Sequence, residues 1–255
     1  MYGLIGGKLG HSYSKMIHEK LADYEYNLIP LNEEEFHDFM KKRAFKAINI
    51  TIPYKEAVIP YLDFLDSSAK NIGAVNTILK KDNKLIGSNT DYYGFEYLLL
   101  NNNINIDKRS CIIIGNGGAA KAVKAVIKDL AASEIKIISL RNVDNTISYE
   151  EAYKNYNDVE VIINTSPVGM YPDIDKSPID LKQFKNLESV VDVIYNPIET
   201  KLYKDAISLG INSVTGLEML VAQAKAAVEI FTDKSINKDI IHDIYSEILN
   251  ELIQN

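Results

Sequence analysis

Apolar positions along this chain recur in two rhythms that replace one another almost from end to end. Tyr2–Gly6, Glu25–Leu31 and Phe45–Ile52 have the length and alternation of strands, while Ser12–Leu21 and Glu33–Lys42 between them have helical spacing. Ala74–Leu79 and Leu85–Ser88 flank Asp82-Asn83, a pair suited to a hairpin turn. A helical stretch, Tyr93–Leu100, runs into Asn101-Asn102-Asn103, a polar interruption that marks a domain boundary. A second series follows, with strands at Cys111–Ile114, Ile135–Leu140, Val159–Asn164 and Ser189–Val193 separated by helices. The chain then closes on helical segments at Gly216–Thr232 and Ile236–Ile253. This order predicts an α/β protein with mainly parallel sheets.

Composition narrows the function classes. The chain has 255 residues, enough for one large domain or two smaller ones, with 46% hydrophobic and 25% charged residues. A net charge of -7 argues against nucleic acid as the partner, and no apolar run approaches a membrane span. The N-terminal residues read as a first strand and not as a signal peptide. The single cysteine, Cys111, lies in an apolar run and reads as a buried thiol in a reducing compartment. Four scattered histidines have no metal-ligand spacing.

Candidate chemistry is concentrated at strand ends. In Asn49-Ile50-Thr51-Ile52-Pro53-Tyr54-Lys55 the two polar side chains fall on one face of a strand that Pro53 ends, and Lys55 follows at the same mouth. A strand end with a solvated lysine is the plain alternative. Ser12 and Ser14 precede a helix, where one of them would cap it. Asn76 follows the apolar Gly73-Ala74-Val75, and Asp91 has the position of a helix N-cap. Further along, Ile112-Ile113-Ile114-Gly115-Asn116-Gly117-Gly118-Ala119-Ala120 is a strand, a glycine turn and a helix start. It fits the G-x-G-x-x-G/A pattern that seats a pyrophosphate on a helix N-terminus. The next strand ends at Arg141-Asn142, and Arg141 is one of only three arginines. An arginine there suits the 2′-phosphate of NADP, whereas an acid would suit NAD; Asp144 keeps NAD open.

These residues resemble those of the shikimate dehydrogenases over essentially the whole chain. The matching runs are Gly10-His11-Ser12-Tyr13-Ser14, Asn49 to Lys55, Gly73 to Thr77, Asn89 to Gly94, Gly115 to Ala119, Asn164 to Met170, Asp192 to Pro197 and Gly216 to Ala224. The resemblance implies a substrate-binding α/β domain (residues 1–100, completed by C-terminal helices 220–255). It also implies a Rossmann-type dinucleotide-binding domain (101–219), with a cleft between the two. It further implies that Ser12, Ser14, Asn49, Thr51, Lys55, Asn76, Asp91, Tyr195 and Gln223 bind the substrate, with Lys55 and Asp91 as the catalytic pair. Gly115, Asn116, Gly117, Gly118 and Ala119 would hold the pyrophosphate of NADP, Arg141 and Asn142 its 2′-phosphate, and Val193 and Gly216 would lie near the nicotinamide.

The expected activity is reversible, NADPH-dependent reduction of 3-dehydroshikimate to shikimate by a cytoplasmic monomer or homodimer. No metal, nucleic acid or membrane is involved. Several positions depart from the family pattern. Lys15 stands where proline is usual, Glu19 where asparagine is usual, Lys8 near an expected proline, Ser67 where an acid is frequent, and Asn145 where a second arginine often grips the 2′-phosphate. That last change weakens discrimination against NAD. Two alternatives stay open: a quinate/shikimate dehydrogenase with relaxed preferences, and a non-catalytic ligand sensor on the same scaffold.

Overall fold

The computed structural model describes residues 1–10, 12–140 and 144–254. Arg141 and Asn142, assigned above to the 2′-phosphate, lie outside them. By internal packing the chain divides into two compact units, Met1–Gly94 with Leu220–Ile248, and Phe95–Met219 with Leu249–Asn255. The division falls inside α4 (Asp91–Asn101), ahead of the asparagine run.

The first unit is built on a six-stranded mixed sheet. Its strands are β1 (Tyr2–Gly6), β2 (Tyr26–Pro30), β3 (Ala47–Ile50), β4 (Phe64–Leu65), β5 (Thr77–Lys81) and β6 (Lys84–Ser88), in the order β2-β1-β3-β5-β6-β4. β1 is parallel to β2 and β3, whereas β5 runs antiparallel to both β3 and β6. Asp82 and Asn83 form the β5–β6 turn with φ of 49° and 62°, the left-handed pair that a two-residue hairpin requires. Alternation assigns the faces. Ile5, Ile48 and Ile50 pack with Phe36 and Met40 of α2 (Glu33–Lys42), while Leu4 and Ala47 pack with Tyr26 and Phe231 of α8 (Leu217–Thr232). α2 opens with a capping box between Asn32 and Glu35, carries acids in its first turn and lysines in its last, and closes on Arg43 in the left-handed region.

Several predicted boundaries move, each for a local reason. α1 spans Ser14–Leu21 and not 12–21, because the Ser12 hydroxyl accepts from the Ser14 N–H and holds the chain in a turn. β3 stops at Ile50 and not at residue 52. The Tyr54 N–H turns back to the Thr51 carbonyl, and a cis Ile52–Pro53 bond follows. Lys55 therefore sits in a run of turns. The last helix, α9, begins at Ile240, after Asn237 Oδ1 has captured the Asp239 N–H.

The second unit carries a five-stranded parallel sheet in the order β8-β7-β9-β10-β11. These strands are β7 (Ser110–Ile114), β8 (Glu134–Ile138), β9 (Val161–Asn164), β10 (Ser189–Asp192) and β11 (Asn212–Thr215), the last absent from the sequence expectation. A single parallel bridge between Ile138 and Ile147 stands beyond β8, where a Rossmann sheet has a further strand. β7 is an interior strand and buried, which explains its unbroken apolar run. Ile112 and Ile114 pack with Ala152 of α6 (Tyr149–Asn155) and with Leu202 and Ala206 of α7 (Lys201–Ser208). Cys111 is buried and its thiol is pushed up to about 12 by desolvation, as befits a packing residue. The asparagine run is not idle, because Asn101 and Asn102 donate to the two carboxylate oxygens of buried Glu218 at 2.6 and 2.5 Å.

Asp192, at the end of β10, ties the neighbouring loops together. Its Oδ1 accepts from Asn164 Nδ2 (3.0 Å) and the Ile194 N–H (3.1 Å), and its Oδ2 accepts from the Thr200 hydroxyl (2.7 Å) that also caps α7. Burial outweighs these donors and pushes the carboxyl up to about 6. Its folded value thus exceeds its unfolded one, so its contribution to stability is full below the unfolded value and declines as pH rises to about 6. In urea titrations, the stability advantage of wild type over Asp192→Asn is expected to shrink by on the order of 2–3 kcal/mol between about pH 4 and pH 7. A constant difference would assign the titration elsewhere.

Candidate active site

One edge of the mixed sheet collects the predicted residues. The C-terminal ends of the parallel strands β1, β3 and β6 lie there. Because β5 is antiparallel, its first residue lies there too, with Thr77 opposite Asn49 and Ser88. The loops after β1 and β3 run side by side through Gly7 N–H to the Ile52 carbonyl (2.9 Å). Gly6 leaves room for the Thr51 methyl, which would stand 2.4 Å from a Cβ on that glycine. Ser12 and Ser14 follow the β1 loop. Asn49, Thr51 and Lys55 follow β3, and Asn76 and Asp91 come from the segments that border β5 and β6.

Lys55 and Asp91 meet at 2.5 Å, Nζ to Oδ2, with side chains 15% and 8% exposed. An ion pair so withdrawn from water gains little net stability, since desolvation offsets the attraction. Asp91 is not the N-cap that its sequence position suggests. The Thr90 carbonyl accepts the first helical hydrogen bond, from the Gly94 N–H, so Asp91 is the first residue within α4. Its second oxygen, Oδ1, accepts from Asn76 Nδ2 at 2.8 Å.

Asn76 Oδ1 accepts from the Thr90 N–H (2.8 Å), and Asn49 Nδ2 donates to the Asn76 carbonyl (3.1 Å) and to Thr77 Oγ1 (3.0 Å). The Thr90 hydroxyl lies 3.4 Å from Gln223 Oε1, so Gln223 of α8 reaches this set, and its Nε2 donates to the Leu220 carbonyl. Asn49, Asn76, Thr77, Thr90 and Asp91 are all buried.

Tyr26, Thr77, Thr90 and His18 take part without having been singled out in the sequence. Thr77 and Thr90 were legible only as neighbours of Asn76 and Asp91 in the matched runs. Tyr26 donates from its hydroxyl to Asn49 Oδ1 at 2.7 Å and stacks on His18 with ring centres 4.0 Å apart. Burial lowers His18 to about 3, so it is a neutral packing ring held by the Tyr24 hydroxyl at 2.8 Å. No sequence signal links residues separated by such loops.

Comparison with known proteins fits this geometry. Residues 4–78 match the shikimate dehydrogenase substrate binding domain. A shikimate dehydrogenase (NADP(+)) from Clostridium beijerinckii is 40% identical over 265 residues, which cover 98% of each chain. The chain belongs to the shikimate dehydrogenase family. Among solved structures, shikimate dehydrogenase 1 from Peptoclostridium difficile is similar, with a TM-score of 0.91 at 34% identity over 98% of both chains. A family member from Thermus thermophilus, solved in complex with NADP(H) and shikimate, is similar with a TM-score of 0.85 at 26% identity over 96% of this chain and 98% of that one.

The second unit has the features of the family's dinucleotide loop. β7 ends at Gly115, whose φ of 104° and 2.9 Å approach of a would-be Cβ to Thr165 Oγ1 both exclude a side chain. Gly117 is the N-cap residue of α5 (Gly118–Asp129), with no side-chain cap, and a Cβ there would project into open space. Asn116, Gly118 and Ala119 complete this turn, and the open space at the uncapped start of α5 fits a pyrophosphate. Val193 and Tyr195 follow β10. Gly216 follows β11, donating its N–H to the Ile194 carbonyl at 2.9 Å. Among the described residues no group of three His, Cys, Asp or Glu side chains is placed to hold a metal ion, and no helix is long and apolar enough to cross a membrane.

A Cβ at Gly216 would stand 2.0 Å from the Val193 carbonyl oxygen, and backbone cannot yield as a side chain can. Gly216→Ala is expected to cost about 1–3 kcal/mol and to lower the thermal midpoint by several degrees. An unchanged midpoint would show that the two segments separate freely.

Proposed function

We infer that this chain catalyses the reversible NADP(H)-dependent reduction of 3-dehydroshikimate to shikimate, a step toward chorismate and the aromatic amino acids. The observation that carries the reading is the withdrawn Lys55–Asp91 pair at the sheet edge, set among amides and hydroxyls suited to a polyhydroxylated acid. In this reading residues 1–100 with 220–255 form the substrate domain and 101–219 the cofactor domain. Ser12, Ser14, Asn49, Thr51, Asn76, Tyr195 and Gln223 hold the substrate's hydroxyls and carboxylate. The Gly115–Ala119 turn holds the pyrophosphate, Arg141 and Asn142 the 2′-phosphate, and Val193 and Gly216 border the nicotinamide. The protein works in the cytoplasm as a monomer or homodimer.

The chemistry assigned to the pair follows from charge. When bound, NADPH supplies the hydride. As the ketone is reduced, negative charge grows on its oxygen, and the Lys55 ammonium stabilises that charge and donates the proton. Asp91 holds Lys55 in place, and Asn76 holds Asp91 by the other oxygen. In the oxidative direction the proton passes the other way, from the substrate hydroxyl to Lys55.

Asn145, standing where a second arginine is frequent, favours testing a relaxed cofactor preference alongside the main reading. Initial rates with shikimate or quinate, each paired with NADP or NAD, are expected to be highest for shikimate with NADP. A preference for quinate or NAD would move the chain to the alternative, and binding of shikimate without turnover would mark it as a sensor. Lys55→Ala is expected to lose about 10²-fold or more in kcat with a smaller change in shikimate binding. Near-normal turnover would remove Lys55 from the mechanism.

A further inference from the structure

Thr77 follows Asn76 in a matched run yet has no role in the reading above. Its side chain is fully buried, and burying a hydroxyl is unfavourable unless both its proton and a lone pair are used. Here both are used, and neighbouring groups that can play only one part fix the proton's direction. The Asn76 carbonyl can only accept, so the Asn49 atom beside it is Nδ2, and Asn49 Oδ1 faces the Tyr26 hydroxyl, which donates. The Thr90 N–H can only donate, so the Asn76 atom beside it is Oδ1, and Asn76 Nδ2 faces Asp91. Thr77 Oγ1 then accepts from Asn49 Nδ2 at 3.0 Å and donates to Asn76 Oδ1 at 2.8 Å, a shorter contact than the 3.3 Å to the Thr90 hydroxyl. A single chain results, Tyr26 to Asn49 to Thr77 to Asn76 to Asp91, with every donor pointing toward the carboxylate that Lys55 meets from the other side.

The far end of this chain is anchored by residues that depart from the family pattern. Lys15 Nζ donates to the Tyr26 carbonyl (3.0 Å), the Tyr26 N–H donates to Glu19 Oε1 (3.0 Å), and Lys15 and Glu19 pair at 2.5 Å. The two substitutions thus clamp the backbone of the residue whose hydroxyl orients Asn49, while His18 covers its ring.

We propose that Thr77 and Tyr26 are positioning residues, which lock the side-chain amides of Asn49 and Asn76 in the orientation that binds substrate beside Lys55 and Asp91. Without its hydroxyl donor a buried amide oxygen, Asn76 Oδ1 or Asn49 Oδ1, loses a hydrogen bond, and the amide shifts from its place beside the substrate. The inference rests on the dehydrogenase reading of the same site.

The test is steady-state kinetics of Thr77→Val, Thr77→Ser and Tyr26→Phe, with shikimate varied at saturating NADP and NADP varied at saturating shikimate. Thr77→Val keeps the shape and removes the hydroxyl. Its shikimate KM is expected to rise about tenfold, the scale of one lost neutral hydrogen bond, with kcat changed less than about threefold and the NADP KM unchanged. Thr77→Ser restores the hydroxyl and is expected to bring KM back within about twofold, and Tyr26→Phe repeats the shikimate-specific rise. A valine variant with wild-type KM overturns the proposal. So does equal impairment by valine and serine, or a loss shared equally by shikimate and NADP. If the valine variant does not fold, Tyr26→Phe decides alone: a shikimate-specific rise upholds the proposal and a wild-type KM overturns it. Wild type without shikimate turnover would remove the dehydrogenase reading and this inference together, whereas an active wild type with unaffected variants removes the inference alone.

Discussion

The Asn76 amide is gripped at both ends, and the geometry of the candidate site depends on that grip. Its oxygen takes the Thr90 N–H just before α4 begins, and its nitrogen is committed to Asp91. Neither contact tolerates the flipped amide, because one partner can only donate and the other, when ionised, can only accept. The backbone around it is equally committed. Its carbonyl accepts the Ile50 N–H as well as Asn49 Nδ2, and its own N–H goes to Ser88. Two segments of chain, residues 49–50 and 88–91, are therefore registered on one residue, and a displacement of either moves the carboxylate that faces Lys55.

Mixed strand direction makes this convergence possible. In a wholly parallel sheet, loops at the active edge come only from strand C-termini. Here the antiparallel β5 brings its first residue to that edge, so Thr77 lies directly opposite Asn49. Asp91, placed within the first turn of α4 instead of capping it, keeps both oxygens for Lys55 and Asn76. The Asp91 N–H is served by Asn89 Oδ1, whose amide in turn donates to the Ala74 carbonyl. The Asp91 N–H is thus met by a neighbour, which leaves the carboxylate to the site.

The second unit solves a different problem with different means. It offers backbone in place of side chains: a glycine turn after a buried strand, a helix start without a side-chain cap, and close approaches at Gly115 and Gly216 that no side chain could share. Asp192 and Asn164 buttress the loops beyond β9 and β10.

Alternation and spacing in the sequence were sufficient for the α/β order, most strands of both series, the hairpin at Asp82-Asn83 and the glycine turn after β7, because these depend on contacts within a few residues. The matched runs named the family and the lysine–aspartate pair. What the sequence missed was settled at a distance. Tyr26 reads as one more aromatic on a strand until its hydroxyl is seen on Asn49, and Lys15 and Glu19 read as departures until they are seen holding Tyr26. Asp91 reads as a cap until Thr90 is found in that place. β11 is too short and polar to announce itself and exists because β10 offers it a partner. Local pattern determines which elements form; which polar atoms meet is decided only when the sheet brings residues from distant loops to one edge, because a hydrogen bond depends on position and direction and sequence spacing encodes neither across a loop.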